Sequence, residues 1–295
     1  MGVTVAKNSN TNNPIGPTFV LPFLALAGAA YVGPRLVKRA IAPPQRDSSV
    51  APSDLGLPEV AVSLRSATGT RLHGWFIPVD GRAPAVIVLH GWGANSSLML
   101  PMATHIYEAG LHSFFVDARN HGLSEHDTFA SMPRFAEDLE AAADWLAARS
   151  EVTSIGVVGH SVGAGAAILS AAETRRYGAV VSVSSFAHPG EMMREQMDRI
   201  PSPVVSLILE VIQLTIGYRF ETFAPRHRLP QVEAPVLLVH GDSDPVVPIS
   251  DLDELREVRP EADVLVVPDG GHSDLAPFEP YVGQIIEFFQ RHLAT

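Results

Sequence analysis

The stretch GVVGHSVGAGAAILSA, residues 156–171, changes from one structural pattern to another within a few residues. It begins inside an apolar run, which is typical of a parallel strand covered on both faces. Two glycines, Gly159 and Gly163, then flank Ser161, and an alanine-rich segment with high helix propensity follows. The stretch therefore predicts a buried strand, a sharp turn and a helix, with Ser161 pointing out from the carboxyl edge of a sheet.

Apolar runs of the same kind recur along the chain. Each is short and nearly continuous, and stretches with helical periodicity separate several of them. The clearest helical stretch is 132–148, where Phe135, Leu139 and Leu146 fall on one stripe, and 281–293 shows the same pattern. This alternation predicts a doubly wound α/β fold with a mostly parallel sheet and right-handed crossovers. The predicted parallel strands are 85–90, 112–119, 154–160, 179–185, 235–241 and 263–269.

Two further patterns complete this architecture. The stretch 59–79 alternates apolar and polar residues on both sides of a Thr-Gly turn, which predicts an antiparallel hairpin. The stretch 202–220 is apolar on nearly every face and lies in a long interval without a strand pattern. We expect a helical cap at about 187–230 that lines an apolar pocket, the alternative being an ordinary crossover helix with extra packing. The cap residues expected to contact substrate are Met193, Met197 and Leu207.

The N-terminal part of the sequence differs from the rest. Residues 1–13 are polar and are expected to be disordered, whereas 14–34 contain no charged residue and are followed by Arg35 and Lys38. The segment 14–34 has the length of a short membrane-spanning helix, although Pro22 argues against an undisturbed one. A cleaved signal peptide and an N-terminal helix packed on the fold are the alternatives.

These alternatives lead to different locations for the chain. An anchor at 14–34 with positive charges after it would leave the folded part on the cytoplasmic side of the membrane. A signal peptide would instead direct the mature chain to the periplasm or the exterior. In either case, residues 35–58 are expected to be a linker and 59–295 to form the folded domain.

The composition argues against several classes of function. A formal net charge of −11 leaves no basic face for a phosphate backbone, so a nucleic-acid partner is not expected. The chain has no cysteine, and therefore neither a disulfide framework nor a thiolate metal site. The sequence shows neither an H-E-x-x-H motif nor a carboxylate cluster, and we expect no metal and no cofactor.

Ser161 has the sequence setting of a nucleophile. A serine hydroxyl attacks a carbonyl carbon only when a base takes its proton and a third group orients that base. In a strand, turn and helix arrangement the histidine follows the acid along the chain, which leaves His272 and His292. His292 falls in the last turn of a predicted helix, whereas His272 follows a strand in a glycine loop that can reach Ser161. The pattern therefore favours His272 as the base.

The acid is expected at the end of a strand that lies between the serine and the histidine in sequence. The strand at 179–185 is not closely followed by a carboxylate, whereas the strand at 235–241 is followed by Asp242 and Asp244. Asp242 has the position of a residue that shapes the turn with its own side chain. Asp244 lies just before Pro245, where the chain is extended and the carboxylate can reach a histidine loop.

The sequence resembles the α/β-hydrolase superfamily over most of residues 59–292, and the resemblance implies that superfamily's fold. The motifs that carry it are HGWGAN (90–95), FVDARNHGLSE (115–125), GHSVG (159–163), HGDSDPVVP (240–248) and GGH (270–272), in the superfamily's order. The resemblance implies Ser161 as the nucleophile, Asp244 as the acid and His272 as the base.

The same resemblance implies an oxyanion hole formed by the backbone amides of Trp92 and Val162. One motif departs from the usual pattern, because Asn120 stands where the superfamily usually has glycine. Asparagine tolerates left-handed backbone angles, so the turn is expected to survive. The other motif histidines are expected to support the structure, namely His90, His121, His160 and His240.

Together these features predict an enzyme that transfers an acyl group from a small-molecule carboxylic ester to water through an acyl-enzyme. An apolar cap favours short to medium apolar acyl groups. A thioesterase, amidase or peptidase would use the same three side chains, and a non-catalytic hydrolase-like binding protein is a further alternative. The fold alone does not decide among these functions.

Overall fold

In the described part of the chain, eight strands form one sheet in the order β1-β2-β4-β3-β5-β6-β7-β8. The first two strands form an antiparallel hairpin, β2 also pairs antiparallel with β4, and all later pairs are parallel. The doubly wound, mostly parallel α/β sheet predicted from the sequence is confirmed. The strands are β1 (Val60–Arg65), β2 (Arg71–Ile77), β3 (Ala83–Leu89), β4 (His112–Asp117), β5 (Val152–His160), β6 (Ala179–Val183), β7 (Val236–Gly241) and β8 (Asp263–Val267).

The structure is a computed structural model that describes Arg35, Lys38, Pro43, Ser48, 50–274 and 276–293. The stretch 1–13 and the apolar segment 14–34, with the anchor predicted there, lie outside the described residues. The helices that are described include none with the length and apolar character needed to cross a membrane. The predicted limits of the linker and of the folded domain stay predictions.

Helices cover both faces of the sheet. The α-helices are α1 (Ser96–Met99), α2 (Pro101–Glu108), α3 (Met132–Ala147), α4 (Val162–Glu173), α5 (Pro189–Glu195), α6 (Ser202–Ile216), α7 (Phe220–Phe223), α8 (Pro225–Arg228), α9 (Ile249–Val258) and α10 (Val282–His292). Short 3-10 helices span Pro52–Leu55, Leu229–Gln231 and Ala276–Tyr281. Four of the α-helices, α5 to α8, lie between β6 and β7, in the interval where the sequence predicts a cap.

The core has two layers because strand side chains alternate between the two faces of the sheet. On β3, Ile87 and Leu89 belong to the layer that packs against α3, α4 and α9. Val86 and Val88 point to the opposite layer, which packs against α2 and α10. Burial on both faces explains why the central strands are continuous apolar runs. The apolar stripe predicted on α3 is buried as expected, at Phe135, Leu139, Ala142, Ala143 and Leu146.

Parallel strands bring all their carboxyl ends to one edge of the sheet, and the candidate site lies there. The last residues of β3, β5 and β7 are followed directly by the motifs that contain Trp92, Ser161 and Asp244. The loop after β8 carries His272 to the same edge.

Candidate active site

The turn between β5 and α4 presents Ser161. Its backbone has φ 56° and ψ −117°, a conformation that is rare and strained for a residue with a side chain. A Cβ on Gly159 would collide with the carbonyl group of Gly163, and one on Gly163 would meet the carbonyl oxygen of His90. Both flanking glycines are thus required by close backbone approach, and the Ser161 amide is held by the Val183 carbonyl at 2.8 Å.

Three of the side chains predicted from sequence lie in one hydrogen-bonded row. The distance from Ser161 Oγ to His272 Nε2 is 2.9 Å. On the other side of the ring, His272 Nδ1 lies 2.7 Å from Asp244 Oδ2. The carboxylate can only accept, so Nδ1 carries the proton and Nε2 is free to accept the serine hydroxyl. This arrangement can raise the nucleophilicity of the serine oxygen by taking its proton.

Asp244 is held as an ionised acceptor. Its side chain is fully buried, and its Oδ1 accepts the backbone N–H groups of Val246 at 2.8 Å and Val247 at 2.9 Å. Burial alone would raise the pKa of this carboxyl group, but the hydrogen bonds from His272 and from the two amides keep the pKa below its ordinary value. The carboxylate therefore stays charged at neutral pH and fixes the orientation of the His272 ring.

Asp242 makes a different set of contacts. Its Oδ1 accepts the backbone N–H of Asp269 at 2.8 Å and the hydroxyl of Ser243 at 3.0 Å. The Ser243 amide in turn donates to the Gly270 carbonyl at 3.1 Å. Asp242 thus ties the turn after β7 to the beginning of the loop that carries His272.

The loop after β3 contains the first of the two expected oxyanion-binding amides. His121 holds this loop, since its Nε2 accepts the Gly93 N–H at 3.1 Å and its Nδ1 donates to the Arg119 carbonyl at 2.8 Å. His90 Nδ1 donates to the Gly91 carbonyl at 2.7 Å, and this hydrogen bond also stabilises the loop. Sequence reasoning assigned these histidines to support without identifying what they support.

Both supporting histidines must be neutral, because each accepts a backbone N–H through its Nε2. Burial lowers the pKa of His90, and burial together with the nearby His90 ring lowers the pKa of His121 to about 3. In the described part of the chain, no acceptor pairs with the backbone amides of Trp92 and Val162. Those two N–H groups are therefore available to a ligand.

Asn120 occupies the turn before His121. Its φ is 66°, in the left-handed region that asparagine tolerates, and its Oδ1 accepts the Asp127 N–H at 2.7 Å. The neighbouring Arg119 is fully buried and donates to Asp138 at 2.7 Å. The turn that positions His121 is therefore held from both sides, and glycine is not required in it.

A cavity of about 410 Å³ opens above Ser161. None of the side chains that line it is acidic or carries a full positive charge, and its polar side chains are Ser131, Ser161, Gln196 and His272. The apolar lining comes from the cap helices, from the loop after β7 and from the start of α3. These apolar residues include Met132, Met192, Met193, Ile212, Ile216, Phe220, Phe223, Val246 and Val247.

Of the three cap residues predicted to contact substrate, the structure places only Met193 in the cavity wall. Met197, which lies beyond the end of α5 at Glu195, is not among the lining residues. The prediction for Leu207 is wrong, since its side chain is 65% exposed. On α6 it lies about 200° around the helix from Val205 and from Leu209, which are the buried positions.

The lining residues that the sequence did not single out include Ile212 and Ile216 on α6 and Phe220 and Phe223 on α7. A helix that is apolar on nearly every face gives no periodic signal to show which side is inward. Val205, Leu209, Ile212 and Ile216 have the spacing of one helical stripe. Exposed apolar side chains form a second stripe on the opposite face of the helix.

Two family models match this chain. Residues 82–221 match the model of a family described as serine aminopeptidase, S33. Residues 218–277 match a model described as alpha/beta hydrolase fold. Together the matches span β3 to the histidine loop, which includes every residue of the candidate site.

Curated relatives match more than two thirds of this chain. An uncharacterized protein of Mycobacterium tuberculosis is 29% identical over 218 residues, which are 72% of this chain and 72% of that protein. The pimeloyl-[acyl-carrier protein] methyl ester esterase of Xanthomonas oryzae is 25% identical over 269 residues, covering 74% of this chain and 98% of the esterase.

Solved structures share the fold. The esterase Pf2001 of Pyrococcus furiosus superimposes with a TM-score of 0.70 at 23% identity, covering 86% of this chain and 98% of the esterase. Est1E of Butyrivibrio proteoclasticus, solved with ferulic acid bound, has a TM-score of 0.65 at 19% identity, with 79% and 100% covered. Identities this low establish a common architecture and leave the substrate to be argued from the site.

Proposed function

The chain belongs to the α/β-hydrolase superfamily, and on that premise we propose that it is a serine hydrolase that cleaves carboxylic esters through an acyl-enzyme. The observation that carries the proposal is the row from Ser161 Oγ through His272 to Asp244, with distances of 2.9 and 2.7 Å, at the floor of an apolar cavity. The hydrogen bonds and the access to the cavity together suit attack on a carbonyl carbon.

In the proposed mechanism, Ser161 Oγ attacks the ester carbonyl carbon while its proton passes to His272 Nε2. The carbonyl oxygen becomes an oxyanion, and the free amides of Trp92 and Val162 stabilise it. Asp244 stabilises the imidazolium that forms. His272 then gives its proton to the leaving alcohol, and a water molecule deacylates Ser161 by the same route in reverse.

The chemical character of the cavity supports an ester with an apolar acyl group. No full charge lines it, so a charged acyl chain would lose its hydration without gaining a partner. The methionine and phenylalanine side chains from α5 and α7 instead bury apolar surface. Two of the proteins to which the chain is similar are named as esterases, one from Xanthomonas oryzae and one from Pyrococcus furiosus.

An aminopeptidase is the rival that one family description suggests. Such an enzyme has to bind the free ammonium group of its substrate, and a buried ammonium needs a carboxylate or several acceptors. No carboxylate lines the cavity, and Asp244 already serves His272 and two amides. These contacts support a neutral ester over a peptide with a free N-terminus.

A substrate panel tests the proposal. We expect hydrolysis of p-nitrophenyl esters with an optimum at short to medium acyl chains, and slower hydrolysis of matched acyl thioesters and of aminoacyl p-nitroanilides. A higher kcat/KM on the anilides would overturn the ester assignment in favour of a peptidase. Binding of apolar acids without turnover of any ester, thioester or amide would support the non-catalytic alternative.

We also propose that the segment 14–34 anchors the chain in a membrane with the hydrolase domain on the cytoplasmic side. The absence of charge over these residues and the positive charges at Arg35, Lys38 and Arg39 support this orientation.

A further inference from the structure

His160, the residue before the nucleophile, contacts both other parts of the candidate site. Its Nε2 lies 2.7 Å from the carbonyl oxygen of His272, and the two imidazole rings lie 5.0 Å apart. On its other side, a Cβ on Gly91 would lie 2.9 Å from His160 Nδ1, so the backbone of the oxyanion loop passes directly over the ring. The His160 side chain thus contacts the histidine loop and the oxyanion loop, and its backbone is bonded directly to Ser161.

The hydrogen bond to His272 fixes the protonation of His160. A carbonyl oxygen only accepts, so the His160 Nε2 must carry a proton and donate. Burial and the neighbouring His272 ring lower the pKa of His160 to about 4. The ring is therefore neutral at physiological pH, and the His272 ring has an uncharged neighbour.

The loop that carries His272 has few other attachments. Asp242 and Ser243 hold its beginning, at Asp269 and Gly270. From Gly271 to Asp274, the described backbone makes one hydrogen bond to another element, the one from His160 to the His272 carbonyl. The next bond along the chain is internal to the loop.

We infer that His160 is a positioning residue that holds the His272 loop closed, so that His272 Nε2 stays within hydrogen-bond reach of Ser161 Oγ. This inference rests on the proposed function, because it concerns the base of the same reaction. Without the donor, the His272 carbonyl loses its partner and the ring can move away from the serine. A displacement of about 1 Å in such a site can cost about 100-fold in rate.

Two amide variants of equal polarity test the role. Gln at position 160 carries an N–H at nearly the distance of the imidazole Nε2, whereas Asn is one methylene shorter and does not reach the carbonyl. We expect His160→Asn to lower kcat for a p-nitrophenyl ester by about 10- to 100-fold with KM unchanged, and His160→Gln to recover most of the loss. Melting temperatures of both variants show whether the difference arises in the folded state.

Labelling of Ser161 with a fluorophosphonate distinguishes a failure of the positioning role from a failure of the proposed function. Slow labelling of His160→Asn and near-normal labelling of His160→Gln would support the positioning role. Labelling of both variants at the wild-type rate, or an equal loss in both, would overturn it while the proposed function stands. A wild-type chain that resists labelling at Ser161 would overturn the proposed function and the positioning role with it.

A second observation concerns the outer surface of the cap. On α6, the side chains of Val204, Leu207 and Leu214 are 46%, 65% and 70% exposed, and their spacing places them on one face. From Ile200 to Tyr218 the chain has one charged residue, Glu210, which pairs with Arg219 at 2.7 Å. The opposite face of the same helix lines the cavity. An exposed apolar stripe of this kind is typical of an interaction surface.

The uncharged segment 14–34 indicates the kind of surface that this stripe faces. The segment 14–34 has no charge and ends next to Arg35 and Lys38. Lys38 Nζ lies 5.6 Å from the centre of the Phe129 ring, and the residues after Phe129 line the cavity. Lys38, four residues beyond the segment 14–34 in sequence, therefore lies near residues that line the cavity.

We propose that the outer face of α6 rests on a lipid bilayer, into which the segment 14–34 inserts. This contact does not depend on the chemistry of Ser161. The net charge of −11 disfavours attraction to anionic lipid, so the contact is apolar and is expected to occur on neutral phosphatidylcholine and to resist added salt.

Single-cysteine labelling tests this contact, because the chain has no cysteine of its own. We would attach a polarity-sensitive fluorophore to Leu207→Cys and Leu214→Cys of the full chain in phosphatidylcholine vesicles. Matched controls are Leu55→Cys and Val266→Cys, which replace apolar side chains that are each 43% exposed. Headgroup-depth nitroxide lipid should quench the two α6 labels and leave both controls unquenched.

Three results would overturn the lipid contact. Equal quenching at all four positions would mean that the anchor alone brings the domain near the bilayer. An unquenched α6 label whose emission depends on protein density would indicate a second copy of the chain. An unquenched label in an apolar environment at every density would indicate that the N-terminal segment itself covers α6.

Discussion

Asp242 and Asp244 are two residues apart, yet they have different partners. Asp244 receives His272 Nδ1 at 2.7 Å, and Asp242 receives the Asp269 amide at 2.8 Å. After Pro245 the chain turns so that the amides of Val246 and Val247 donate to Asp244. The first aspartate shapes a turn, and the second orients a ring.

These contacts predict different losses when each carboxylate is replaced by an amide. Asp244→Asn should lower kcat by about 10⁴-fold, because an amide can hold the His272 ring in the tautomer that does not accept the serine proton. Asp242→Asn retains an acceptor for Asp269 and should leave kcat close to wild type while lowering the free energy of unfolding by about 1 kcal/mol. Steady-state kinetics and urea unfolding of both variants make the comparison. Equal losses of kcat would contradict the assignment of the acid.

Part of this residue-level organisation is visible in the sequence. Ser161, Asp244 and His272 could be located because each follows a strand, and parallel strands end at one edge of a sheet. The hydrogen bond from His160 to the His272 carbonyl could not be located in this way, because it depends on the path of a loop more than a hundred residues away. Backbone contacts of this kind leave no pattern in the residue types.

At the scale of elements, α6 has two apolar faces with different surroundings. Ile212 and Ile216 line the cavity, whereas Leu207 and Leu214 face outward. The central strands could be predicted because they are short continuous apolar runs, and α3 because its buried residues repeat with the helical period. The orientation of α6 could not, because a helix that is apolar all round has no period that marks the inner face.

Shortening a side chain on the inner face of α6 should therefore change substrate preference, whereas shortening one on the outer face should not. Ile212→Ala enlarges the cavity and should change the ratio of kcat/KM between long and short p-nitrophenyl esters by about 10-fold in favour of the longer one. Leu207→Ala removes a similar volume from the outer face and should leave this ratio unchanged for esters in solution. An equal change in both variants would contradict the orientation of α6.

At the scale of the whole molecule, buried neutral histidines link stability to pH. The pKa of His121 is lowered to about 3 and that of His160 to about 4, whereas both groups have a pKa near 6.5 when exposed. Below pH 6.5 the unfolded chain therefore binds more protons than the folded one, and stability is lost as the pH falls. Asp138 and Asp251, whose pKa values burial raises to about 6, act in the opposite direction.

We expect the histidine contribution to dominate between pH 6.5 and 4, because burial lowers the pKa of four further histidines, His90, His112, His188 and His240. The melting temperature should fall over this interval, and each buried histidine can contribute up to about 1.4 kcal/mol per pH unit. His121→Gln should make the dependence shallower. A melting temperature that rises from pH 6.5 to 4 would contradict this view of the core.

The proposed anchor also belongs to this scale. The full chain should sediment with membranes and stay there after an alkaline carbonate wash, and Leu24→Arg within the segment 14–34 should release it. The same substitution at an exposed site of the domain, Leu55→Arg, serves as the control. A mature chain that lacks its first residues and is found outside the cytoplasm would show that the segment is a signal peptide instead.

The central claim is that Ser161 is the nucleophile of an ester hydrolase. The most direct measurement compares the hydrolysis of p-nitrophenyl butyrate by the wild-type chain and by Ser161→Ala, with the folding of both confirmed by melting temperature. We predict turnover by the wild type and a loss of at least about 10³-fold in the variant. Retention of wild-type turnover by Ser161→Ala would contradict the account.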